Sequence, residues 1–181
     1  MIRASPVLES ARVEDSDEAL VGAAKADPAR FAAIYGRYRL PVFRYLRARG
    51  ETEDGAADLT GATFERALRA LPRYRSRGGG LAAWLLRIAR NAALDEQKRR
   101  GRMEPGPTEL MFARLPTPGP ADATEIRMAV NALPPVEREA VLLRYSAGLT
   151  AREIGPVIGK SADATQKLIE RALHTLKEDL R

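Results

Sequence analysis

Apolar side chains recur at intervals of three and four residues over most of the chain, which is the period of α-helices packed on a core. In the first half this pattern predicts four helices, beginning near Asp17, Pro28, Asp54 and Leu81. Ser16 and Asp27 precede the first two, where a short polar side chain can cap free backbone amides. Pro41 lies within the second helix, and we expect it to kink or restart that helix.

The second half carries a different arrangement of helices. A helix opened by two consecutive prolines is followed by a Thr-x-x-Glu capping box at Thr150 and Glu153, which starts a short helix. Gly159 then turns the chain, and Ser161 caps a long final helix. A short helix, a tight turn containing glycine and a longer helix form the helix-turn-helix arrangement. Since no strand pattern interrupts either half, we predict an all-α fold.

Proline and glycine divide the chain into segments. Residues 103–123 hold five of the 12 prolines and show no helical period, so we interpret them as a flexible, Pro/Gly-rich linker. This linker joins two small helical domains, at residues 17–102 and 124–181, and residues 1–16 form an N-terminal tail. The second of these domains is the one that carries the helix-turn-helix.

Composition narrows the chemistry available to the chain. The 181 residues include no cysteine, which excludes disulfides, thiolate metal sites and cysteine nucleophiles. The one histidine, His174, cannot build a zinc site of several histidines, and it lies in a charged helical run near the C-terminus. We therefore expect no metal site and no catalytic residue, and we predict that the protein is not an enzyme.

Positive charge is concentrated in the first domain. Residues 17–102 carry 18 basic and 10 acidic side chains, a net charge of +8, whereas residues 124–181 carry 9 basic and 8 acidic side chains. Most of the basic residues in the first domain are arginines, whose planar guanidinium groups match the geometry of phosphate. This distribution indicates a partner that is a nucleic acid.

The start of the chain lacks the features of an export signal. The sequence MIRASP has no basic start followed by an apolar run of about 7 to 15 residues. The most apolar stretch, residues 81–88, contains an arginine and falls far short of the roughly 20 apolar residues that a spanning helix needs. We expect a cytoplasmic protein without membrane insertion.

Three motifs follow one another across the proline-rich segment. The first is DLTGATFERAL at residues 58–68, and the second is WLLRIARNAALDEQKRR at residues 84–100. The third is LPPVEREAVLLRYSAGLTAREI at residues 133–154. In this order, over residues 17–181, the sequence resembles the bacterial extracytoplasmic-function (ECF) sigma factors, the smallest members of the main sigma superfamily.

The resemblance assigns the first domain to sigma region 2, which binds core RNA polymerase and the minus-10 promoter element. It implies that residues 58–68 dock on the clamp coiled coil of the polymerase, through Asp58, Leu59, Phe64 and Arg66. The chain departs from the family at Gly61-Ala62, where the usual pair is Gln-Glu.

The resemblance also implies that residues 84–100 form the helix that melts and reads the minus-10 element. Asn91 would read a flipped base beside the loop at residues 73–80, since its amide can both donate to and accept from a base edge. We expect Tyr74 to be a stacking ring and Trp84 to belong to the core. Cations that would neutralise phosphates of the melted region are Arg73, Arg75, Arg77, Arg87, Arg90, Lys98, Arg99 and Arg100.

The second domain resembles sigma region 4, whose helix-turn-helix binds the minus-35 element. The positions that match the family's base and phosphate readers are Ser161, Gln166, Lys167, Glu170 and Arg171. Because this domain has a net charge of only +1, we expect weak DNA affinity on its own. Specificity would then arise mainly in holoenzyme, where both promoter elements are held together.

The partners implied by the resemblance are core RNA polymerase, promoter DNA and an anti-sigma factor that covers the polymerase-binding faces of both domains. It implies no cofactor. We expect a monomer outside these complexes.

Two other functions remain open at the level of sequence. The residues Leu149-Thr-x-x-Glu-Ile154 are also similar to response-regulator output domains, so the chain could be a stand-alone helix-turn-helix transcriptional regulator. That interpretation leaves the motif at residues 84–91 unexplained. A sigma-like adaptor that binds proteins but has no promoter activity is favoured by Gly61-Ala62 and by the nearly neutral second domain.

Overall fold

The computed structural model describes residues 16–76, 78–100 and 123–180. Within them the first domain consists of four α-helices, α1 (Asp17–Ala26), α2 (Phe31–Ala48), α3 (Glu53–Ala70) and α4 (Gly80–Arg100). Short 3-10 turns at Pro28–Arg30 and Leu71–Arg73 join α1 to α2 and extend the end of α3. The second domain consists of α5 (Ala123–Ala132), α6 (Pro135–Ser146), α7 (Ala151–Ile158) and α8 (Ala162–Asp179). The predicted all-α fold is thereby confirmed.

Polar caps fix where the helices of the first domain begin. The Ser16 hydroxyl accepts from the amide of Ala19, and the Thr52 hydroxyl accepts from the amide of Gly55. Each bond satisfies a backbone donor that has no partner within its helix. Pro41 does not restart α2, which is helical from Phe31 to Ala48. A proline removes a single amide from the helix ladder, and the packing of buried residues on both sides of it keeps α2 in one piece.

The first domain has a core built from the inward faces of α2, α3 and α4. Ile34, Tyr45 and Leu46 of α2 and Leu81 and Leu85 of α4 are fully buried. Burial of each such side chain contributes roughly 1.5–3 kcal/mol. The inward face of α4 is therefore fixed, and the opposite face of the same helix is left for binding.

The second domain has the predicted helix-turn-helix, formed by α7 and α8. Thr150 and Glu153 make both bonds of the capping box that opens α7. Gly159 ends α7 with φ of +73°, a left-handed conformation that glycine adopts without the strain of a Cβ. Ser161 caps α8 by accepting from the amide of Ala164. Helix α5 was not predicted, because only its last turns carry an apolar period and it begins beside the proline-rich segment.

The two domains pack on each other. Helix α6 lies against α2, and α7 lies against α4. The buried side chains of both domains form one continuous cluster, in which Tyr45 and Leu85 of the first domain join Leu143 and Ile154 of the second. The two predicted domains are thus closed on each other in this structure.

Part of the predicted organisation lies outside the described residues. This applies to the tail up to residue 15, to linker residues 103–122 and to Arg77 of the loop. Of the helices that the structure describes, none is both long and apolar enough to cross a lipid bilayer.

The turn between α7 and α8 leaves no room for a side chain at Gly155. A Cβ built there would lie 2.6 Å from the carbonyl oxygen of Lys160, which is backbone and cannot rotate away. We expect Gly155→Ala to lower the melting temperature. The control is Gly36→Ala on α2, where no atom lies within 4 Å of the added carbon. This control should raise stability by about 0.5–1 kcal/mol through helix propensity. Thermal unfolding measures whether each substitution lowers or raises the melting temperature. A stabilised Gly155→Ala variant would contradict the packing described here.

Candidate nucleic-acid interface

The outward face of α4 carries a single stripe of binding groups. Because Leu81, Leu85 and Ala89 point into the core, residues offset from them by half a turn face away from it. Trp84 is half-buried, whereas Arg87, Asn91 and Lys98 are exposed. These four positions are separated by three, four and seven residues, so they follow one side of the helix over roughly 21 Å. An aromatic ring, an amide and two cations thus stand in line.

Asn91 occupies the centre of this stripe with its amide available. Its side chain is exposed and makes no hydrogen bond to the described residues. A free amide can offer a donor and an acceptor to one base edge. The geometry therefore suits the base-reading role that the sequence predicts for Asn91.

The loop before α4 is anchored through Tyr74. The backbone carbonyl of Tyr74 accepts from Nζ of Lys25 at 2.7 Å, which ties the loop to α1. Its ring packs on Trp84 with 4.7 Å between the ring centroids and is only 8% exposed. Burial raises the pKa of the Tyr74 hydroxyl.

The expected stacking role of Tyr74 is therefore wrong for this arrangement, because the ring is used for packing. Trp84, which was expected in the core, packs against it but stays half-buried, so it is the more exposed of the two residues. Sequence alone could not separate them, since both positions are aromatic and both border the same loop.

A pocket of about 560 Å³ opens between this loop and α4. Its lining includes Arg73, Arg75, Trp84 and Arg87, together with Pro156 of the second domain. Guanidinium groups around an indole ring can bind a phosphate and stack on a base at the same time. The pocket is consequently a candidate nucleotide site on this face.

Several predicted phosphate contacts are engaged within the protein. Arg100 lies 3.0 Å from Glu51 and 2.8 Å from Glu96, and Arg99 lies 3.4 Å from Glu96. Two further arginines of this set, Arg87 and Arg90, contact the second domain. Arg87 donates to the carbonyl oxygen of Pro156, and Nε of Arg90 lies 3.7 Å from the carboxylate of Glu139.

Lys98 differs from these arginines, because it has no ion pair among the described residues. Arg73 and Arg75 are exposed on the loop. Of the seven predicted phosphate-binding cations that the structure describes, these three stand open to a ligand here.

The predicted polymerase-binding residues divide between the surface and the core. Asp58 is exposed, but Leu59 and Phe64 are 7% and 4% exposed and cannot contact a partner as they stand. Phe64 packs edge-on against Tyr35, with 4.9 Å between the ring centroids. Arg66 is half-buried and lies 3.6 Å from Asp95 of α4. The helical period accounts for this correction, since residues 59 and 64 fall on the buried side of α3.

The exposed side of α3 presents groups that sequence reasoning missed. Leu68 is 41% exposed on α3, and Tyr35 of the neighbouring α2 is 44% exposed. Exposed apolar side chains that form a patch are a feature of protein-binding surfaces. The sequence did contain a signal for Leu68. Its spacing from Asp58 and Gly61 places all three residues on one side of a helix.

All the residues predicted to read the minus-35 element are exposed on or at the start of α8. Nε2 of Gln166 donates to Oε1 of Glu170 at 2.8 Å, so these two side chains orient each other. Nε of Arg171 lies 2.9 Å from the carboxylate of Glu137 on α6. The remaining two are Ser161, at the cap, and Lys167.

Comparison with known proteins places these two helical domains in one family. Residues 34–103 match the family profile for Sigma-70 region 2, and residues 123–176 match that for Sigma-70, region 4. The chain is 31% identical over 183 residues to the ECF RNA polymerase sigma factor SigD of Mycobacterium tuberculosis, covering 92% of this chain and 84% of SigD. This chain belongs to the ECF sigma factors.

Other relatives agree with this assignment. The ECF sigma factor BldN of Streptomyces coelicolor is 36% identical over 175 residues, which cover 90% of this chain and 66% of BldN. The solved structure of CnrH in complex with the cytosolic domain of CnrY superposes with a TM-score of 0.70 at 25% identity, covering 91% of this chain and 96% of CnrH. The sigma factor RpoE of Bartonella quintana, solved with the anti-sigma factor NepR, has the same fold, with a TM-score of 0.63 at 22% identity over 83% of this chain and 96% of RpoE.

We expect Arg100 of this ECF sigma factor to be mainly structural and Lys98 to be free for a ligand. Arg100→Ala leaves Glu51, whose side chain is 6% exposed, without its 3.0 Å partner. An unsatisfied buried acceptor costs roughly 1–3 kcal/mol, so the melting temperature should fall. Lys98→Ala is the matched control on the same turn of α4 and should leave the melting temperature unchanged. Equal thermal stability of the two variants would show that the Glu51 ion pair contributes nothing.

Proposed function

We propose that this ECF sigma factor binds core RNA polymerase, recognises the minus-10 and minus-35 promoter elements and helps to separate the DNA strands. The observation that carries the proposal is the outward stripe of α4, which lies inside the region 2 match. Single-stranded nucleic acid is bound by stacking on aromatic rings and by cations along its backbone. The stripe supplies Trp84, Arg87 and Lys98 for these contacts, and it adds Asn91 for reading a base.

At the minus-10 element, a flipped base of the non-template strand would enter the pocket beside the loop. The backbone of Gly78 and Gly80 is free of Cβ atoms, so the strand can approach it closely. Asn91 is not part of the pocket lining but lies one helical turn beyond Arg87, so its amide would bond to a base edge presented at that side of the pocket, while Arg73, Arg75 and Lys98 neutralise phosphates. Opening the duplex needs no covalent step, because base binding itself favours the separated strands.

At the minus-35 element, α8 would enter the major groove. The exposed side chains of Gln166, Lys167 and Arg171 would contact bases and phosphates, and Glu170 would hold Gln166 in place. The Ser161 cap would lie against the backbone of the duplex, where amides at a helix start attract phosphate.

For polymerase binding, the exposed side of α3 is the proposed contact. Asp58 offers a charge on this side, and Leu68 with Tyr35 of α2 offers apolar area. Gly61 and Ala62 provide little polar contact between them, so the apolar part of this surface would carry more of the affinity. Leu59, Phe64 and Arg66 would support the surface from beneath.

The proposed domain limits are those of the sequence: region 2 at residues 17–102, a linker at residues 103–123 and region 4 at residues 124–181. The chain would act in the cytoplasm, where core RNA polymerase and the chromosome are found. It would act as a monomer outside its complexes and as a binding protein without bond-making chemistry. By the family resemblance an anti-sigma factor would control it, and the sigma factor RpoE of Bartonella quintana, which has the same fold, was solved with the anti-sigma factor NepR.

Run-off transcription tests the proposal directly. Purified core RNA polymerase would be supplied with sheared genomic DNA, with and without this chain. Discrete transcripts that depend on the chain are expected, and their 5′ ends would define the promoter. If no transcripts form but the chain co-elutes with polymerase, the adaptor interpretation is correct. If neither occurs, the result favours a stand-alone helix-turn-helix regulator or a requirement for a further partner.

Asn91→Ala should lower open-complex formation without loss of core-polymerase binding. Loss of a two-bond contact to a base costs roughly 1–3 kcal/mol, which corresponds to about a 5- to 150-fold effect. The matched control is Asn131→Ala. Asn131 is half-buried near the end of α5 in the second domain, so this variant should behave as wild type. Permanganate footprinting measures opening, and co-elution measures polymerase binding. Equal loss of both activities would assign Asn91 a structural role instead.

Trp84→Leu should weaken binding of the single-stranded non-template minus-10 segment to the holoenzyme. Stacking of one base contributes about 1–3 kcal/mol, and leucine keeps apolar packing against Tyr74 but has no π-face. Tyr74→Phe removes only a buried hydroxyl and serves as the control, with unchanged affinity expected. Fluorescence anisotropy with a labelled strand measures both. Unchanged affinity in a folded Trp84→Leu variant would contradict the stacking role assigned to Trp84.

A further inference from the structure

A second pocket, of about 280 Å³, lies where the two domains meet. The first domain contributes the end of α2 and the second half of α4 to its lining, and the second domain contributes α6 and the ends of α5 and α7. Its polar lining residues are Arg49, Arg90, Gln97, Asn131, Arg138 and Glu139. Of these six only Arg90 belongs to the set predicted to meet DNA, so the pocket offers chemistry that the proposed function does not use.

The pocket carries a net charge of +2, from three arginines and one glutamate. Glu139 is 7% exposed, and its carboxylate accepts from the guanidinium of Arg49 and from the hydroxyl of Tyr45. Burial raises the pKa of this hydroxyl, so Tyr45 donates as a neutral group. Since Arg49 compensates the charge of Glu139, the positive charges left over for a ligand are those of Arg90 and Arg138.

Arg90 supplies a donor that the protein itself does not satisfy. Its Nε is buried and lies 3.7 Å from the carboxylate of Glu139, which is too long for a hydrogen bond. No other acceptor for this nitrogen is found in the described ranges 16–76, 78–100 and 123–180. A buried guanidinium donor without an acceptor is costly, and an ion or a water molecule is a usual explanation for such a group. An anion in the pocket would supply that acceptor together with the opposite charge.

Arg138 lines the same pocket from the second domain, and its side chain is already held in place. One of its terminal nitrogens, Nη1, donates to the backbone carbonyl of Asn131 at 3.1 Å. This bond uses one of the five N–H donors of a guanidinium, so others can serve a ligand. Two guanidinium groups suit phosphate, which accepts through several oxygens. A phosphate with two negative charges would also balance the net charge of the pocket.

The pocket is larger than a bare anion requires. Its volume of about 280 Å³ is roughly nine times the ~30 Å³ that a water molecule occupies in the liquid, and sites for small organic molecules begin near 300 Å³. Leu142 and Ile158 add apolar area to the lining. A ligand with a phosphate at one end and a compact apolar body at the other would therefore fill it.

We propose that this pocket binds a small phosphate monoester, with its phosphate on Arg90 and Arg138 and its carbon body on the apolar side. Neither DNA nor polymerase takes part, so the site does not rest on the proposed function. Because Arg90 belongs to the first domain and Arg138 to the second, one ligand would contact both domains. A ligand that needs both groups stabilises the arrangement in which they are together. Its concentration would thereby control how readily the domains separate.

Nuclear magnetic resonance of the whole chain tests the phosphate end of the site. Inorganic phosphate is titrated into the isotope-labelled protein, and the Nε–H signal of Arg90, identified by its loss in Arg90→Gln, is followed. Phosphate should shift this signal saturably, with half-saturation on the order of 1 mM. Sodium chloride at the same ionic strength should leave the signal in place. A signal that does not respond to phosphate, or that responds equally to chloride, would overturn the proposal.

Calorimetry on variants tests which side chains hold the phosphate. Arg90→Gln and Arg138→Gln should each weaken phosphate binding roughly 10- to 150-fold, because each loses a charge-assisted hydrogen bond. The matched control is Arg39→Gln on α2, which removes an exposed arginine outside the pocket and should bind phosphate as wild type does. Circular dichroism shows which variants keep the helical fold. Equal affinity in all the folded proteins would contradict the assignment.

Phenyl phosphate tests the apolar end of the site. Burial of its ring should make it bind about tenfold tighter than inorganic phosphate. Ile158→Thr should weaken the binding of phenyl phosphate and leave that of inorganic phosphate unchanged, because only the ring meets the apolar side. If wild type binds the two ligands equally, the pocket takes a bare anion and the assignment to a monoester is wrong.

Discussion

The structure depends on one constraint, the division of α4 into an inward and an outward face. Its leucines and alanines complete the core of the first domain, and this fixes the rotation of the helix about its axis. Trp84, Arg87, Asn91 and Lys98 are consequently held in line on a rigid support. A binding surface placed on a buried helix needs little ordering when a ligand arrives, so less of the binding free energy is lost.

Local chemistry made most of the fold predictable from the sequence. The caps at Ser16, Thr150 and Ser161 and the turn at Gly159 act within a few residues, so they could be read directly. Helix α5 could not, because its stability comes from packing of Val130 against the rest of the second domain. Pro41 does not restart α2 for a similar reason, since tertiary contacts outweigh one missing hydrogen bond.

The site was less predictable, because its residues depend on contacts that are distant in sequence. Tyr74 and Trp84 both carry aromatic rings. Only the hydrogen bond that Lys25, 49 residues away, donates to the backbone carbonyl of Tyr74 shows which of the two is anchored. In the sequence Arg100 looks like one more phosphate-binding cation. Only the structure shows that it forms an ion pair with Glu51. The closing of the second domain on Arg87 and Arg90 has no sequence signal at all, since the partners are a backbone carbonyl and one glutamate among many.

The carboxylate of Glu139 on α6, which contacts Tyr45, Arg49 and Arg90 of the first domain, determines how freely the two domains can be exchanged. Each domain has its own helices and its own family match, so the chain looks modular. Glu139, however, is buried with partners that come entirely from the other domain. A chimera that joins either domain to a foreign one would place a charge or a phenol against an unmatched surface. The contact surface of each domain therefore limits which substitutions the other domain can accept.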